Sequence, residues 1–329
     1  MAFKDIVGNA NVKNILRKAL KQKKLPNSLL FSGPKGVGKR ETSLVVAKAL
    51  NCLKKKDDAC EDCSSCKAIN SGNHPDVIKI TAEKNVLKIE QMRDVKSTAH
   101  LKPMVGRKRV FIVLEAEKMN VEASNSLLKI LEEPPPFSQI ILVTQNPHLI
   151  LPTIKSRCQK LYFPPISRKD ILQELRARGI KEEKAKIISL LVRGDLEQAL
   201  SLDWDEIQER RRAAWNLFLS LLKNEKTSPF IRRFSSSQAP IKNELTKTLE
   251  TLSSFCRDLI LIKEKGNSCY LMNPDYEEEF RKAERLMSLE RMMDFQDKVD
   301  FVLSGLQKNL NVNILVSSLF ADWGEEKHA

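Results

Sequence analysis

Ser28-Leu29-Leu30-Phe31-Ser32-Gly33-Pro34-Lys35-Gly36-Val37-Gly38-Lys39-Arg40, followed closely by Leu44-Val45-Val46-Ala47-Lys48-Ala49-Leu50, is the stretch on which the fold turns. It reads as a short apolar strand, a glycine-rich turn and the start of a helix. That succession aims several backbone N–H groups and the positive end of a helix dipole at one point, a geometry suited to a polyphosphate. Gly33, Lys35, Gly36, Val37, Gly38 and Lys39 are therefore the candidate nucleotide-binding residues. The glycines let the backbone close around phosphate, and Lys39 is placed to meet the β and γ groups. The G-x-x-x-x-G-K pattern normally continues with a Ser or Thr whose hydroxyl ligates Mg²⁺. Here that position is Arg40. Thr42 is two residues further on, about 200° around the helix, and is a poor replacement.

Working outward, Val77-Ile78-Lys79-Ile80, Val110-Phe111-Ile112-Val113-Leu114 and Ile140-Ile141-Leu142-Val143 read as further strands buried on both faces. A fifth run, Lys160-Leu161-Tyr162-Phe163, stops at Pro164-Pro165, which cannot donate ladder hydrogen bonds and make a natural boundary. Strands alternating with helical stretches predict an α/β domain with a largely parallel sheet over residues 1–165. Residues 166–205 read as a small lid of three short helices, the first capped by Ser167 with Asp170 three positions on. Residues 206–329 stay helical. The stripes Trp215-Leu217-Phe218-Leu221-Leu222 and Leu303-Leu306-Leu310-Val312-Leu315 suit either a bundle core or an oligomerisation surface. Ser235-Ser236-Ser237-Gln238-Ala239-Pro240 reads as a loop, and the charged tail after Trp323 is expected to fray.

Hydrolysis needs a second element, an acidic pair at the end of a later strand. The third strand ends in Leu114-Glu115-Ala116-Glu117, with leucine where the first carboxylate belongs. Glu115 and Glu117 can equally be an ordinary polar strand exit. Two losses on the metal-binding path predict a site that can hold ATP or ADP but turns it over poorly or not at all.

Of seven cysteines, four crowd into C-x7-C-x2-C-x2-C at Cys52, Cys60, Cys63 and Cys66. Two C-x2-C steps let thiolates converge tetrahedrally, and zinc at about 2.3 Å suits four sulfurs best. An iron–sulfur cluster and free thiols are the alternatives. Four cysteine ligands leave no open coordination position, so a zinc ion here would be structural.

With 56 Lys and Arg against 42 Asp and Glu, the formal net charge is +14 and the pI near 9.4. An anionic partner such as nucleic acid is favoured, although the cations are spread along the chain and much of the excess can be solvated helix surface. No run approaches the roughly 18 apolar residues of a membrane span, and Met1-Ala2-Phe3-Lys4-Asp5 lacks a charged-then-apolar signal, so a cytoplasmic protein without membrane contact is expected.

Taken in order, Phe3-Lys4-Asp5-Ile6-Val7-Gly8, Asn27 to Pro34, the four-cysteine insertion, His74-Pro75-Asp76, Asn125 to Pro135 and Ser156-Arg157-Cys158 resemble bacterial DNA polymerase III clamp-loader subunits. The likeness covers roughly residues 1–200, and the family usually has one more residue between the first two cysteines. It implies an AAA+ phosphate-loop domain, a helical lid and an all-α collar. It also implies a five-membered ring with gamma/tau motor subunits and delta, which loads a sliding clamp on primer-template DNA. In such subunits the arginine at the Arg157 position acts in trans on the neighbour's γ-phosphate. An ordinary ion pair is the plain alternative for a lone arginine. A motor subunit would need a hydroxyl at 40, an acid at 114 and an arginine at 197, where this chain has Arg40, Leu114 and Glu197. With Arg157 retained, the departures match the delta-prime type, which belongs to the polymerase holoenzyme without being a polymerase or an active ATPase itself. The competing readings are an active gamma/tau-type motor ATPase, and a zinc-dependent nucleic-acid-binding protein with a vestigial nucleotide fold.

Overall fold

The computed structural model describes residues 1–222, 239–265, 270–308 and 310–320. Most of the Ser235–Pro240 loop reading and the tail after Trp323 lie outside the described residues, with only Ala239 and Pro240 seen, as the first residues of a helix. The chain forms two compact units, Met1–Leu200 and Ser201–Ala329.

The first unit carries a five-stranded sheet. Its strands are β1 (Ser28–Ser32), β2 (Val77–Ile80), β3 (Arg109–Val113), β4 (Ser138–Thr144) and β5 (Gln159–Tyr162), in the order β2-β3-β4-β1-β5. Every pair is parallel, with Leu30 opposite both Leu142 and Lys160. Parallel neighbours require crossovers: α2 (Lys39–Asn51) and α3 (Ser64–Ser71) lie between β1 and β2, α4 (Ile89–Ala99) between β2 and β3, α5 (Val121–Glu132) between β3 and β4, and α6 (Pro152–Arg157) between β4 and β5, while α1 (Ala10–Lys21) precedes the sheet.

The central strands β1, β3 and β4 are buried at every position, whereas edge strand β5 buries only Leu161. On one face Leu30, Phe111, Val113, Ile140 and Leu142 pack against Met92 and Val95 of α4 and Leu127 and Ile130 of α5. Each such fully buried side chain stabilises by about 1.5–3 kcal/mol relative to exposure. Because side chains alternate along a strand, Leu29, Phe31, Ile112 and Ile141 are buried on the other face. Three further helices close this unit: α7 (Arg168–Ala177), α8 (Glu182–Leu191) and α9 (Leu196–Ser201). Ser167 caps α7, its hydroxyl accepting the Asp170 N–H at 3.1 Å, as the sequence suggests.

The second unit is helical, with α10 (Trp204–Leu222), α11 (Ala239–Lys265), α12 (Glu277–Ala283), α13 (Leu289–Gln307) and α14 (Val312–Phe320). Trp215 sits edge-on to Phe255 and Phe280, with centroids 5.8 and 5.4 Å away, at the centre of one apolar core. The first predicted stripe belongs to that core. The second does so only in part: Leu306, Val312 and Leu315 are buried, but Leu310 is half exposed because it lies in the break between α13 and α14, where helical phase is lost. Within this core Arg211 is buried, gripped by Asp275 at 2.7 and 2.8 Å and by Asn273 at 3.1 Å, with its guanidinium 4.8 Å from the Tyr276 ring.

Candidate nucleotide cleft and metal centre

A strand-to-helix turn at the carboxyl end of a parallel sheet is where α/β folds place ligands, and the loop after β1 opens there into a cleft of about 550 Å³. Sheet order brings the ends of β3 and β4 beside it, so Leu114, Glu115, Thr144 and Gln145 share its wall with Lys35 to Arg40. Gly36 and Gly38 have φ of +67° and +85°, conformations that favour glycine. A Cβ on Gly36 would lie 1.6 Å from Asp195 Oδ1, and Leu196 N–H donates to the Gly36 carbonyl at 3.1 Å. The residues that open α9 are thus fastened to the loop.

Lys39 is buried and turns its ammonium back into the loop, donating to the carbonyl oxygens of Gly33 at 2.7 Å and of Pro34. Burial pushes its pKa below the ordinary lysine value, while the charges of Glu117, Glu41, Asp195 and Glu197 work in the opposite direction. The Thr42 hydroxyl donates to the Gly38 carbonyl at 2.6 Å, spending its hydrogen on the helix, and Arg40 is exposed at the cleft. Glu115 pairs with Lys118 at 2.7 Å, and Glu117 accepts the Gln145 N–H at 3.1 Å. Glu115 is thus paired and Oε1 of Glu117 is bonded, whereas Glu117 Oε2 is buried with no hydrogen-bond partner among the described residues.

At the far end of α2, the Sγ atoms of Cys52, Cys60, Cys63 and Cys66 all lie within 4.8 Å of one another. Four sulfurs about 2.3 Å from one zinc ion would be about 3.8 Å apart, and the Cys60–Cys66 separation is 3.9 Å. The donor set fits the ion. Backbone N–H groups of Lys55, Cys63 and Cys66 donate to the sulfurs of Cys52, Cys60 and Cys63 at 3.3–3.5 Å, the kind of support that orients thiolate ligands. N–H donation from Cys63 and Asp62 lowers the Cys60 thiol to about 6, whereas burial pushes Cys66 up to about 12. The cysteine loop also holds the start of the chain: Phe3 N–H donates to Asp58 at 3.0 Å, and buried Lys48 joins Glu61 at 2.5 Å and Asn70 at 2.9 Å. Asp5, Ile6 and Val7 just beyond line the cleft, so the metal centre and the cleft share one segment.

Arg157, at the end of α6, is not among the cleft-lining residues. Its guanidinium donates to the Thr153 carbonyl at 3.1 Å and pairs with Glu132 at 3.4 Å, both partners being solvent-accessible.

Residues 8–167 match the family model described as "DNA polymerase III, delta subunit". DNA polymerase III subunit tau of Bacillus subtilis is 36% identical over 207 residues, covering 61% of this chain and 37% of that protein. DNA polymerase III subunit delta' of the same organism is 32% identical over 207 residues, covering 63% of each. Over its first unit the chain is thus similar to DNA polymerase III subunits of the delta, delta' and tau types. The chain spans less than two thirds of the length of these two curated relatives. A solved gamma subunit-related protein from Thermotoga maritima overlays at a TM-score of 0.43 with 20% identity, covering 96% of this chain and 99% of that one. The fold assignment rests on sheet order and the strand–loop–helix unit, not on that overlay.

Several cleft residues escaped the sequence reading. Thr144 and Gln145 carry no motif and are found only through the β4–β1 pairing. Arg178 brings a cation to the cleft from the lid although position 197 is glutamate, and it pairs with Glu174 at 2.8 Å. The run Arg176-Ala177-Arg178-Gly179 was its only trace in the sequence.

Proposed function

We propose that this chain is a delta-prime-type clamp-loader subunit that completes a neighbour's ATP site and does not hydrolyse ATP itself. The observation that carries the reading is a division within one unit: the cleft offers Arg40 and Leu114 where a hydroxyl and a carboxylate are required, while Arg157 stands outside that cleft. An arginine that cannot serve its own site is free to serve another. Its pair with Glu132 is solvent-accessible, and such pairs contribute about 0–1 kcal/mol. Exchanging it for a γ-phosphate oxygen in a neighbour costs little and stabilises charge developing in the transition state. On this reading the AAA+ domain is 1–165, the lid 166–205 and the collar 206–329. The partners are gamma/tau motor subunits and delta in a five-membered ring, with the sliding clamp and primer-template DNA engaged by the whole assembly. Zinc holds the cysteine loop, and ATP or ADP can sit on the phosphate loop without turnover.

The test is steady-state ATP turnover of motor subunits, delta, clamp and primed DNA, with and without this protein. Stimulation is expected from the native chain, and Arg157→Ala should lower stimulated turnover by about 10-fold or more while leaving assembly intact. Unchanged turnover with Arg157→Ala would overturn the in-trans role. The match to a tau subunit favours a second reading, an active motor, which predicts brisk ATP turnover by the isolated chain.

A further inference from the structure

Two stretches of chain join the cysteine centre to the nucleotide cleft, and they differ in what holds them. One is α2, which runs over 13 residues, about 20 Å, from Lys39 at the cleft to its C-terminal cap at Cys52. A helix closed by its own hydrogen bonds keeps its length whether or not its ends are occupied. The other stretch is residues 2–9. Apart from a single 3-10 turn at Phe3–Asp5, it is held by groups that other elements bring to it.

At one end those groups belong to the cysteine loop. Ala2 packs in one buried cluster with Cys52, Ala59, Cys63 and Cys66. Asp58, buried and lying in sequence between Cys52 and Cys60, accepts the Phe3 N–H at 3.0 Å and the Ala59 N–H at 2.8 Å. Glu61, between Cys60 and Cys63, accepts from Lys48 at 2.5 Å, and the same ammonium donates to the Met1 carbonyl. At the other end the contacts are with the phosphate loop. Ile6 is buried against Gly38, its Cγ2 3.4 Å from where a Cβ would stand. Asn9, in the left-handed region at φ +51°, donates from Nδ2 to the Val37 carbonyl at 2.9 Å. Lys13 braces the bend between them, donating to the Ile6 carbonyl at 2.7 Å.

We propose that residues 2–9 tie the two sites together, so that zinc held by the four cysteines tightens nucleotide binding in the cleft. The inference rests on the nucleotide reading given above. Asp58 and Glu61 both lie within the span of the four cysteines, so fixing the sulfurs around one ion also fixes these two carboxylates. Phe3 and the chain that follows are set with them, and Ile6 and Asn9 are held against Gly38 and Val37 before nucleotide arrives. Without the metal that ordering is left to the nucleotide, and its cost lowers the affinity. Such coupling is reciprocal: nucleotide tightens zinc by the same factor.

Calorimetry of the full chain with ADP, zinc-loaded and after chelation, tests the coupling in one direction. Competition with a chromogenic chelator, with and without ADP, tests it in the other, and a factor of about 10 is expected in each. Asp58→Ala cuts the tie and leaves the cysteines and α2 in place. Its zinc content should match the native chain, while ADP binds about 10-fold more weakly and each ligand loses its effect on the other. Hydrogen exchange gives a readout that needs no nucleotide. In the zinc-loaded variant the amides of residues 6–9 and 36–38 should exchange about 10-fold faster, with those of α5 unchanged. If exchange responds in this way but no form binds ADP, the nucleotide reading fails and the tie stands. Should chelation unfold the first unit by circular dichroism, the zinc-loaded Asp58→Ala comparison alone decides. ADP bound equally by the native chain and the variant, or unchanged exchange at residues 6–9, would overturn the proposal.

Discussion

The two ends of helix α2 make opposite use of the residues a ligand site requires. At its C-terminal end four sulfurs converge, backbone amides support three of them, and the loop between them anchors Phe3 through Asp58. At its N-terminal end the frame of a phosphate loop is complete, but Arg40 and Leu114 stand where metal chemistry would begin, and Thr42 and Lys39 bond to the protein's own carbonyls. A phosphate loop can therefore persist as architecture: its glycines and lysine satisfy local packing and hydrogen bonding whether or not phosphate is turned over. The cysteine site keeps its full donor set, four sulfurs within 4.8 Å of one another, a spacing that fits one metal ion.

The contrast breaks most sharply at the metal. Cys66→Ser should destabilise the first unit by about 4–5 kcal/mol, in the range of a lost structural metal, read as a fall in the thermal midpoint with zinc content reduced in parallel. A variant that keeps the native midpoint without metal would show the cysteines to be free thiols.

Asp76 provides a smaller effect. Fully buried, it accepts N–H groups of Met104, Val105 and Gly106 at 2.7–2.8 Å and pairs with Arg109 at 3.3 Å. Burial alone would raise its pKa, but the three amides and Arg109 outweigh burial and hold it below the usual value. A depressed carboxylate contributes stability that is present above the unfolded pKa near 3.9 and fades as pH falls below it. Asp76→Asn should cost about 3 kcal/mol at pH 7 and flatten the pH dependence of stability below about pH 4. An unaltered acid limb in urea unfolding would show that other carboxylates dominate it.

The smallest effect sharpens the contrast at the cleft itself. With no metal ligand at 40 or 114, omission of Mg²⁺ should change ATP affinity of the isolated chain by less than about 3-fold in calorimetry. Arg40→Thr with Leu114→Asp should restore a dependence of about 5-fold or more. A strong Mg²⁺ dependence in the native chain would mean that another carboxylate has taken over.

Local patterns were readable and long-range neighbours were not. The run Val77–Ile80 is the observed β2 residue for residue, and predicted strands beginning at Val110 and Ile140 start one and two residues early, at Arg109 and Ser138. Arg109 and Ser138 are polar and so fall outside an apolar run, yet both are buried because Asp76 and the Ala99 carbonyl receive them. The phosphate loop and the cysteine quartet were legible because each is contiguous, its chemistry set by spacing. Thr144 and Gln145 lie more than a hundred residues from Lys39 and reach the cleft only through the sheet order. Asp195 against Gly36 is likewise a meeting that no periodicity announces. Leu310 shows the converse, a periodic residue left outside the core by a turn.

That meeting of Gly36 with Asp195 has a mechanical consequence. Where a lid hangs freely, arrival of a ligand can be converted into motion, because contacts form that were absent before. Here a carboxylate already occupies the space of a missing methyl group, and a main-chain bond from Leu196 ties the same turn. Any movement of α9 away from the loop must first break that bond and vacate that contact.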